Sequence, residues 1–450
     1  MGRINYIILF VVMAFGNKSY SQDKLNFNNV KLFPITSVDW RHFVNAELPF
    51  LDTIMQHNDI LILSDARHGD GSTANARCML LKALIDSGKI NSVYLEGGWL
   101  TIEEINDLIR KNGYEAFEKD HEEMNNTVLE QWIRNGFWKY LVEKIQSGKV
   151  QLYGFDLEYS EGRVRRLLTE SLELSEVKKY MDSIKKTAQD SGRLELQHIM
   201  SIPTLTPDGM MLGIFYTDII FSAGKKFIGI VINTYAALGD TAKVKMWQAI
   251  LNFLYWGNQI NKVLKYNALK VKFGYELSQG KYFKIMSEAH SIRDSLMAER
   301  FIDLYTNSKS RKAVIITANY HALKNQYSIS NITDYCIQEG TQIMNDILNR
   351  KLKSRIYTMA FINSYWDNDY YLSNKMSKLE KIKYPKPRRY SLEQEISKNY
   401  NDEYCYIDLQ QPELKSKQFY MEPSWFKYLL SNWADNYSGV FYVKTMQRLR

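Results

Sequence analysis

Side chains able to carry out acid–base chemistry stand at comparable places along this sequence. Four of them come directly after short apolar runs: His68, Glu96, Asp156 and His321. A carboxylate beside an imidazole fixes the tautomer of the ring and raises its basicity, which suits a general base acting on water. His68 lies in a short loop with Asp65 before it and Gly69 after it, so we predict that His68 is the chemical centre of the chain.

The apolar runs have the length and composition of parallel strands that are buried on both faces. Strands are predicted over 59–63, 92–95, 149–153 and 312–317, with later strands over 354–361, 404–409 and 439–443. A helix predicted over 73–86, with Ser72 as its N-cap, joins the first two strands, and the strands of such a βαβ unit are parallel. In open α/β sheets ligands bind outside the carboxyl ends of the strands, so the four residues are expected at one edge.

Arg77 is expected close to the start of this helix, where the helix dipole disfavours a positive charge. An acidic partner is therefore predicted, and Asp65 and Glu96 are the nearest candidates along the chain. Two interpretations stay open. The arginine and carboxylate either shape a pocket, or form a buried ion pair that fixes the helix to the sheet.

The chain has 450 residues, of which 45% are hydrophobic, enough for a large core. Arg3, the apolar run 6–15 and the small residues around Ser21 predict a signal peptide over 1–21, with an uncleaved anchor as the alternative. The mature chain is then exported, periplasmic or secreted, and without stable membrane insertion, because no later segment is apolar enough to span a bilayer. We predict an α/β catalytic domain over 22–161 and 307–450, and a mainly helical cap or insertion over 162–306.

Other classes of protein are disfavoured by composition and motif. The net charge of +8 is not concentrated in a basic run with interleaved aromatics, so no nucleic-acid partner is predicted. Three cysteines, an odd number, do not indicate a disulfide framework. The sequence has no GxSxG, GxGxxG, CxxC or HExxH pattern, so neither a cofactor nor a metal is predicted. A base-activated water is the simplest mechanism that remains.

The run from Ile60 to Trp99 resembles the first βαβ unit of the erythromycin esterase family. That family has a Gly-Glu-x-x-His-Gly loop, an arginine in the next helix, and Leu-Glu after the second strand. His68, Gly69, Arg77 and Leu95-Glu96 match it in type and spacing. Weaker matches follow in the family's order: Trp132 with Arg134, Tyr153-Gly-Phe-Asp156, Arg293-Asp294 with Met297-Ala298, and Asn319 with His321.

The resemblance implies a metal-independent hydrolase in which His68 activates water to attack an ester or lactone carbonyl. Supporting roles are implied for Asp65, Arg77, Glu96 and His321, and Arg293 and Asp156 are expected to bind the substrate, an apolar ester or lactone. The chain departs from the family at three positions: Ser64 replaces glycine, Asp65 replaces glutamate, and Ala318 replaces the first histidine of His-Asn-x-His.

These departures keep two further hypotheses open beside the hydrolase. The first is a binding protein on the same scaffold, with catalysis weakened or lost. The second is a metal-dependent hydrolase whose ligands are His68, Asp65, Glu96 and His321; the residue types suit a metal, but no tight ligand spacing supports it.

Overall fold

The structure is a computed structural model of the 450-residue chain. It describes residues 25, 27–42, 48–66, 70–120, 127–156, 167, 169–191, 218–252, 255, 279–308, 312–329, 340–352, 354–366, 387–424 and 427–447. The predicted signal peptide over 1–21 and His68 lie outside the described residues.

An eight-stranded sheet forms the centre of the protein, in the order β1-β7-β10-β6-β2-β5-β3-β4. Its strands are Leu32–Ile35 (β1), Ile60–Asp65 (β2), Ser92–Gly98 (β3), Gln151–Asp156 (β4), Ala313–Ala318 (β5), Ile356–Trp366 (β6), Tyr404–Asp408 (β7) and Gly439–Met446 (β10). All neighbouring pairs from β10 to β4 are parallel, whereas β7 is antiparallel to both β1 and β10. Phe419–Ser424 (β8) and Lys427–Ser431 (β9) form a separate hairpin. The mostly parallel α/β fold is therefore confirmed.

Helices cover both faces of this sheet. They are Pro49–His57 (α1), Gly71–Asp86 (α2), Trp99–Asp120 (α3), Thr127–Arg134 (α4), Phe137–Gln146 (α5), Ser175–Ser191 (α6), Asp218–Ala237 (α7), Gln279–Asn307 (α8), Met344–Lys351 (α9), Leu392–Asn399 (α10) and Pro412–Lys415 (α11). The helices α1 to α5 pack on one face and α8 to α10 on the other. In β2, Leu61 and Leu63 join the first core and Ile60 and Ile62 the second, which explains why the strand is apolar throughout.

One local prediction was wrong in detail. The N-cap of α2 is Asp70, whose carboxylate accepts hydrogen bonds from the N–H groups of Ser72 and Thr73, so Ser72 lies inside the helix. Helices α4 and α5 are separated at Gly136, which has a positive φ of 75°. A glycine adopts this left-handed conformation without the steric cost that other residues pay.

The described parts of 162–306 are largely helical. Helices α6 and α7 contact each other around a small apolar cluster of their own that includes Val177, Val231 and Trp247. In the part of the chain that the structure describes, no helix combines the length and hydrophobicity needed to cross a bilayer. The end of α8 reaches the central sheet, where Phe301 packs against Tyr94 of β3.

Candidate active site

Glu96 stands at the carboxyl end of β3, where four groups converge on its carboxylate. Its Oε2 accepts hydrogen bonds from the Thr317 hydroxyl at 2.7 Å and from the Ala318 N–H at 2.8 Å. Its Oε1 accepts one from Nη2 of Arg293 at 3.1 Å and lies 3.3 Å from Nε2 of His321. Only 8% of the Glu96 side chain is exposed. This carboxylate is therefore fixed between the neighbouring strand and two cationic side chains.

An irregularity in β3 gives Glu96 its position. The pairing of β3 with β4 changes register between Leu95 and Gly98, so Glu96 lies where the regular ladder is interrupted. Gly154 of β4 faces this stretch, and a Cβ there would come within 2.8 Å of the Gly97 carbonyl oxygen. The glycine of the Tyr-Gly-Phe-Asp sequence is thus required by the close approach of the two backbones.

Arg293 reaches the site from α8 and joins two acids. Its Nε donates to Oδ1 of Asp156 at 3.1 Å, and its Nη2 donates to Oδ2 of the same carboxylate as well as to Glu96. This two-point contact uses the planar geometry of the guanidinium group, which a lysine does not reproduce. The Asp156 side chain is 1% exposed, whereas Arg293 retains 18% and is the most exposed member of the network.

His321 lies between two carboxylates. Its Nδ1 is 2.8 Å from Oδ1 of Asp294, and its Nε2 faces Glu96. The other oxygen of Asp294 accepts the N–H of Met344 at the start of α9. Burial alone lowers the pKa of the ring, but the charges and hydrogen bonds of Asp294 and Glu96 outweigh burial and raise it to about 10. At neutral pH His321 is therefore an imidazolium, which is a proton donor and not a base.

A second ion pair lies across β5 from this network. Nη2 of Arg77 is 3.0 Å from Oδ2 of Asp65 and donates to Oε1 of Gln131 at 2.9 Å, and the arginine and aspartate side chains are each 1% exposed. Of the two partners predicted for Arg77, the structure has Asp65. The arginine lies in the second turn of α2, which begins at Gly71.

The start of α2 is anchored to the residue that follows β10. Asp70 is buried and accepts the N–H of Gln447, just beyond β10, at 3.2 Å, while the N–H of Gly71 donates to the Gln447 carbonyl at 2.8 Å. Burial raises the pKa of Asp70 to about 6, against hydrogen bonds from Thr73, Ser72 and Gln447 that act to lower it. Gln447 thus fixes the residues that lead into α2; His68 lies outside the described residues.

Of the predicted site residues, Glu96, Asp156, Arg293 and His321 are brought into one connected network, and Asp65 and Arg77 into an adjacent pair. Asp294 and Thr317 were not predicted to have roles in it. The Arg293-Asp294 sequence was a usable signal for Asp294, and Thr317 was the last residue of a predicted strand. His290 packs edge-on against the Tyr320 ring, next to His321.

The metal hypothesis requires several ligand side chains to lie close together among the described residues. No group of three or more histidines, cysteines, aspartates or glutamates is arranged there to hold a metal ion. Asp65 and Glu96, two of the ligands in the metal hypothesis, are each in an ion pair with an arginine.

No protein-family model and no curated protein matches this chain. Solved structures do match in fold. A mutant of the erythromycin esterase EreC in its open conformation has a TM-score of 0.61 and 15% identity, covering 91% of this chain and 96% of that one. A succinoglycan biosynthesis protein gives 0.60 and 10%, over 93% and 96%. A Bacillus cereus protein gives 0.59 and 11%, over 93% and 95%. At these identities the likeness establishes the fold.

Proposed function

We propose that this protein is an exported hydrolase that cleaves an ester or lactone with a water molecule activated by His68. The observation that carries the proposal is the Asp156–Arg293–Glu96–His321–Asp294 network at the carboxyl edge of the sheet. Fixed charges at a strand edge are what a reaction with a developing negative charge requires. The fold likeness to an erythromycin esterase and the spacing of His68, Arg77 and Glu96 support the same chemistry.

In this mechanism the residues have separate tasks. His68 takes a proton from water, and the water oxygen attacks the carbonyl carbon of the substrate. The negative charge that develops on the carbonyl oxygen is stabilised by Arg293, the most exposed cation of the network. The bond to the alcohol oxygen then breaks, the alcohol takes the proton from His68, and the carboxylic acid leaves as the second product. His321, already protonated, holds Glu96 in place and does not compete with His68 as the base.

The test is hydrolysis of a panel of aryl esters, alkyl esters and macrolide lactones. A general base contributes on the order of a hundredfold or more to the rate. His68→Ala should therefore lower kcat by about that factor, with little change in KM. His42→Ala is the matched control, because this exposed histidine pairs only with nearby Asp39 among the described residues. Turnover by the wild type that survives His68→Ala would rule out the assigned base.

A second experiment separates Arg293 from His68. Arg293→Lys keeps the charge but loses the two-point contact with Asp156, so kcat should fall by about tenfold or more. The loss should persist at pH values where His68 is fully deprotonated. An unchanged kcat in Arg293→Lys would remove this residue from the mechanism while leaving the hydrolase proposal intact.

The binding-protein hypothesis rests on the departures at Ser64, Asp65 and Ala318, and the likeness to an esterase fold does not favour it. Restoring Ser64→Gly, Asp65→Glu and Ala318→His together would distinguish the two hypotheses. If only the triple variant hydrolyses esters, the native chain is a binding protein. If the native chain already hydrolyses esters, the binding-protein hypothesis fails.

Export is the remaining part of the proposal and rests on the sequence of residues 1–21. Expression of the full chain in a bacterium, followed by cell fractionation and N-terminal sequencing, tests it. We expect a periplasmic or secreted protein that begins at Gln22. A full-length protein held in the membrane fraction would favour the uncleaved anchor.

A further inference from the structure

Lys324 and Ser438 form a close polar pair that shares no residue with the network around Glu96. Nζ of Lys324 lies 2.6 Å from Oγ of Ser438, and the N–H of Thr358 donates to the same oxygen at 3.3 Å. Ser438 is 6% exposed and Lys324 is partly buried. The serine oxygen is thus surrounded by donors, one of which is an amine.

The backbone holds both members of this pair in place. The N–H of Ser438 donates to the Thr358 carbonyl at 2.8 Å, and the Ser438 carbonyl accepts the N–H of Leu409 at 3.0 Å. The residue after the lysine, Asn325, donates its N–H to the side-chain oxygen of Asn436 at 3.1 Å. Since the two segments are linked beside the pair, the backbones of Lys324 and Ser438 are held close together.

The charge state of Lys324 distinguishes it from an ordinary surface lysine. Among the side chains that the structure describes, its amine has no carboxylate partner, and burial lowers its pKa to about 8. About a tenth of the amine is therefore neutral at pH 7. A neutral amine within hydrogen-bond distance of a hydroxyl accepts its proton, and serine–lysine pairs use this chemistry to activate a nucleophile.

We propose that Ser438 and Lys324 form a second reactive site, in which Ser438 is a nucleophile for small activated esters and Lys324 is its base. As Oγ of Ser438 attacks the carbonyl carbon, its proton passes to Nζ. The bond to the leaving alcohol oxygen breaks, the proton passes from Nζ to that oxygen, and the acyl group stays on Ser438. Water then releases the acid. Lys324 is itself partly exposed, and a small reagent would approach the pair from that side.

Diisopropyl fluorophosphate is a suitable probe for this site. In the reaction a bond forms between Oγ and phosphorus, the phosphorus–fluorine bond breaks, fluoride leaves, and the proton moves to Nζ of Lys324. We expect a stable adduct on Ser438, located by peptide mass spectrometry of the full-length protein. Labelling of Ser438 should exceed that of Ser328, a partly exposed serine of the adjoining loop, by about tenfold or more.

Variants of the base decide between a reactive site and a structural contact. Lys324→Met and Lys324→Arg should both slow labelling of Ser438 by about a hundredfold, because arginine keeps the charge and the hydrogen bond but is not a base. Arginine would preserve a contact that is only structural, so labelling of Ser438 at the wild-type rate in Lys324→Arg would contradict the proposal. So would equal labelling of Ser438 and Ser328 in the wild type. His68→Ala should leave the Ser438 adduct unchanged, which makes this test independent of the base assigned to the proposed hydrolytic site.

Discussion

The charge state of His321 is the property of the site that a direct measurement can test most sharply. The ring is 5% exposed and lies between Asp294 and Glu96, which raise its pKa from 6.5 to about 10 against the opposing effect of burial. A shift of this size corresponds to about 5 kcal/mol between the protonated and neutral forms. Solvent screening reduces this free-energy difference only slightly, because the side chains of Asp294 and Glu96 are also buried.

The sign of the pH dependence follows from the direction of the shift. A histidine whose pKa is higher in the folded than in the unfolded state stabilises the fold fully below the unfolded value. That stabilisation is lost as the pH rises from 6.5 to about 10. Within this interval the free energy of unfolding should decrease by about 1.4 kcal/mol per pH unit on account of His321.

Two measurements on the same samples test this. In NMR spectra of protein labelled with ¹⁵N in its seven histidines, the His321 ring, identified by its absence in His321→Asn, should remain protonated well above pH 6.5. Urea unfolding across the alkaline range should show the predicted slope in the wild type and a smaller one in His321→Asn. His42→Ala, which removes an exposed histidine, should keep the wild-type slope.

Asp294→Asn tests whether the contact with Asp294 raises the pKa of His321. It removes one of the two charges beside the ring and should lower the pKa of His321, although the Glu96 contact remains. A His321 resonance that titrates near 6.5 in the wild type would refute the reasoning. An unfolding slope that is the same in wild type and His321→Asn would refute it equally.

Three further predictions concern stability, measured by urea unfolding. Asp65→Asn leaves the Arg77 guanidinium buried without its counter-ion and should lower the free energy of unfolding by about 3–5 kcal/mol. The double variant Asp65→Asn with Arg77→Met should lower it by less, and equal losses would contradict the ion pair. Burial raises the pKa of Glu393 to about 8, so the free energy of unfolding should fall as the pH rises from 4.5 to 8. Glu393→Gln should flatten this pH dependence, and an unchanged slope in the variant would contradict the prediction. Gly439→Ala places a Cβ 2.5 Å from the Tyr357 hydroxyl and should lower the free energy of unfolding by about 1–3 kcal/mol. Gly229→Ala is the control, because its Cβ would meet open space and should not destabilise the protein.

The sequence alone was sufficient to predict the strands of the sheet, because the central strands have no exposed face. The predicted strands over 59–63 and 312–317 correspond closely to Ile60–Asp65 and Ala313–Ala318, whose side chains alternate between two cores. A run that is apolar on both faces has few alternatives to a buried parallel strand. The residues that follow such runs are then placed at one edge by topology, as Glu96, Asp156 and His321 are.

Sequence was not sufficient for the parts of the site that come from other elements. Arg293 and Asp294 enter from α8, and Arg293 lies 197 residues from Glu96 along the chain. Periodicity places a residue on a helix but does not indicate which strand end that helix crosses. The cap of α2 was misplaced by two residues for a related reason. Asp70 and Ser72 are both good N-caps, and the contact of Asp70 with Gln447 near the other end of the chain decides between them.

The order of the strands explains how the two arginines are divided between the acids. Because β5 lies between β2 and β3, Asp65 and Glu96 are on opposite sides of Ala318, and each forms an ion pair with a different arginine. Ala318 pairs in register with Asp65, and its N–H donates to Glu96. A side chain at position 318 therefore begins between the two ion-pair systems. Of the three positions at which the chain differs from the erythromycin esterase pattern, position 318 is the one that lies between the two acids.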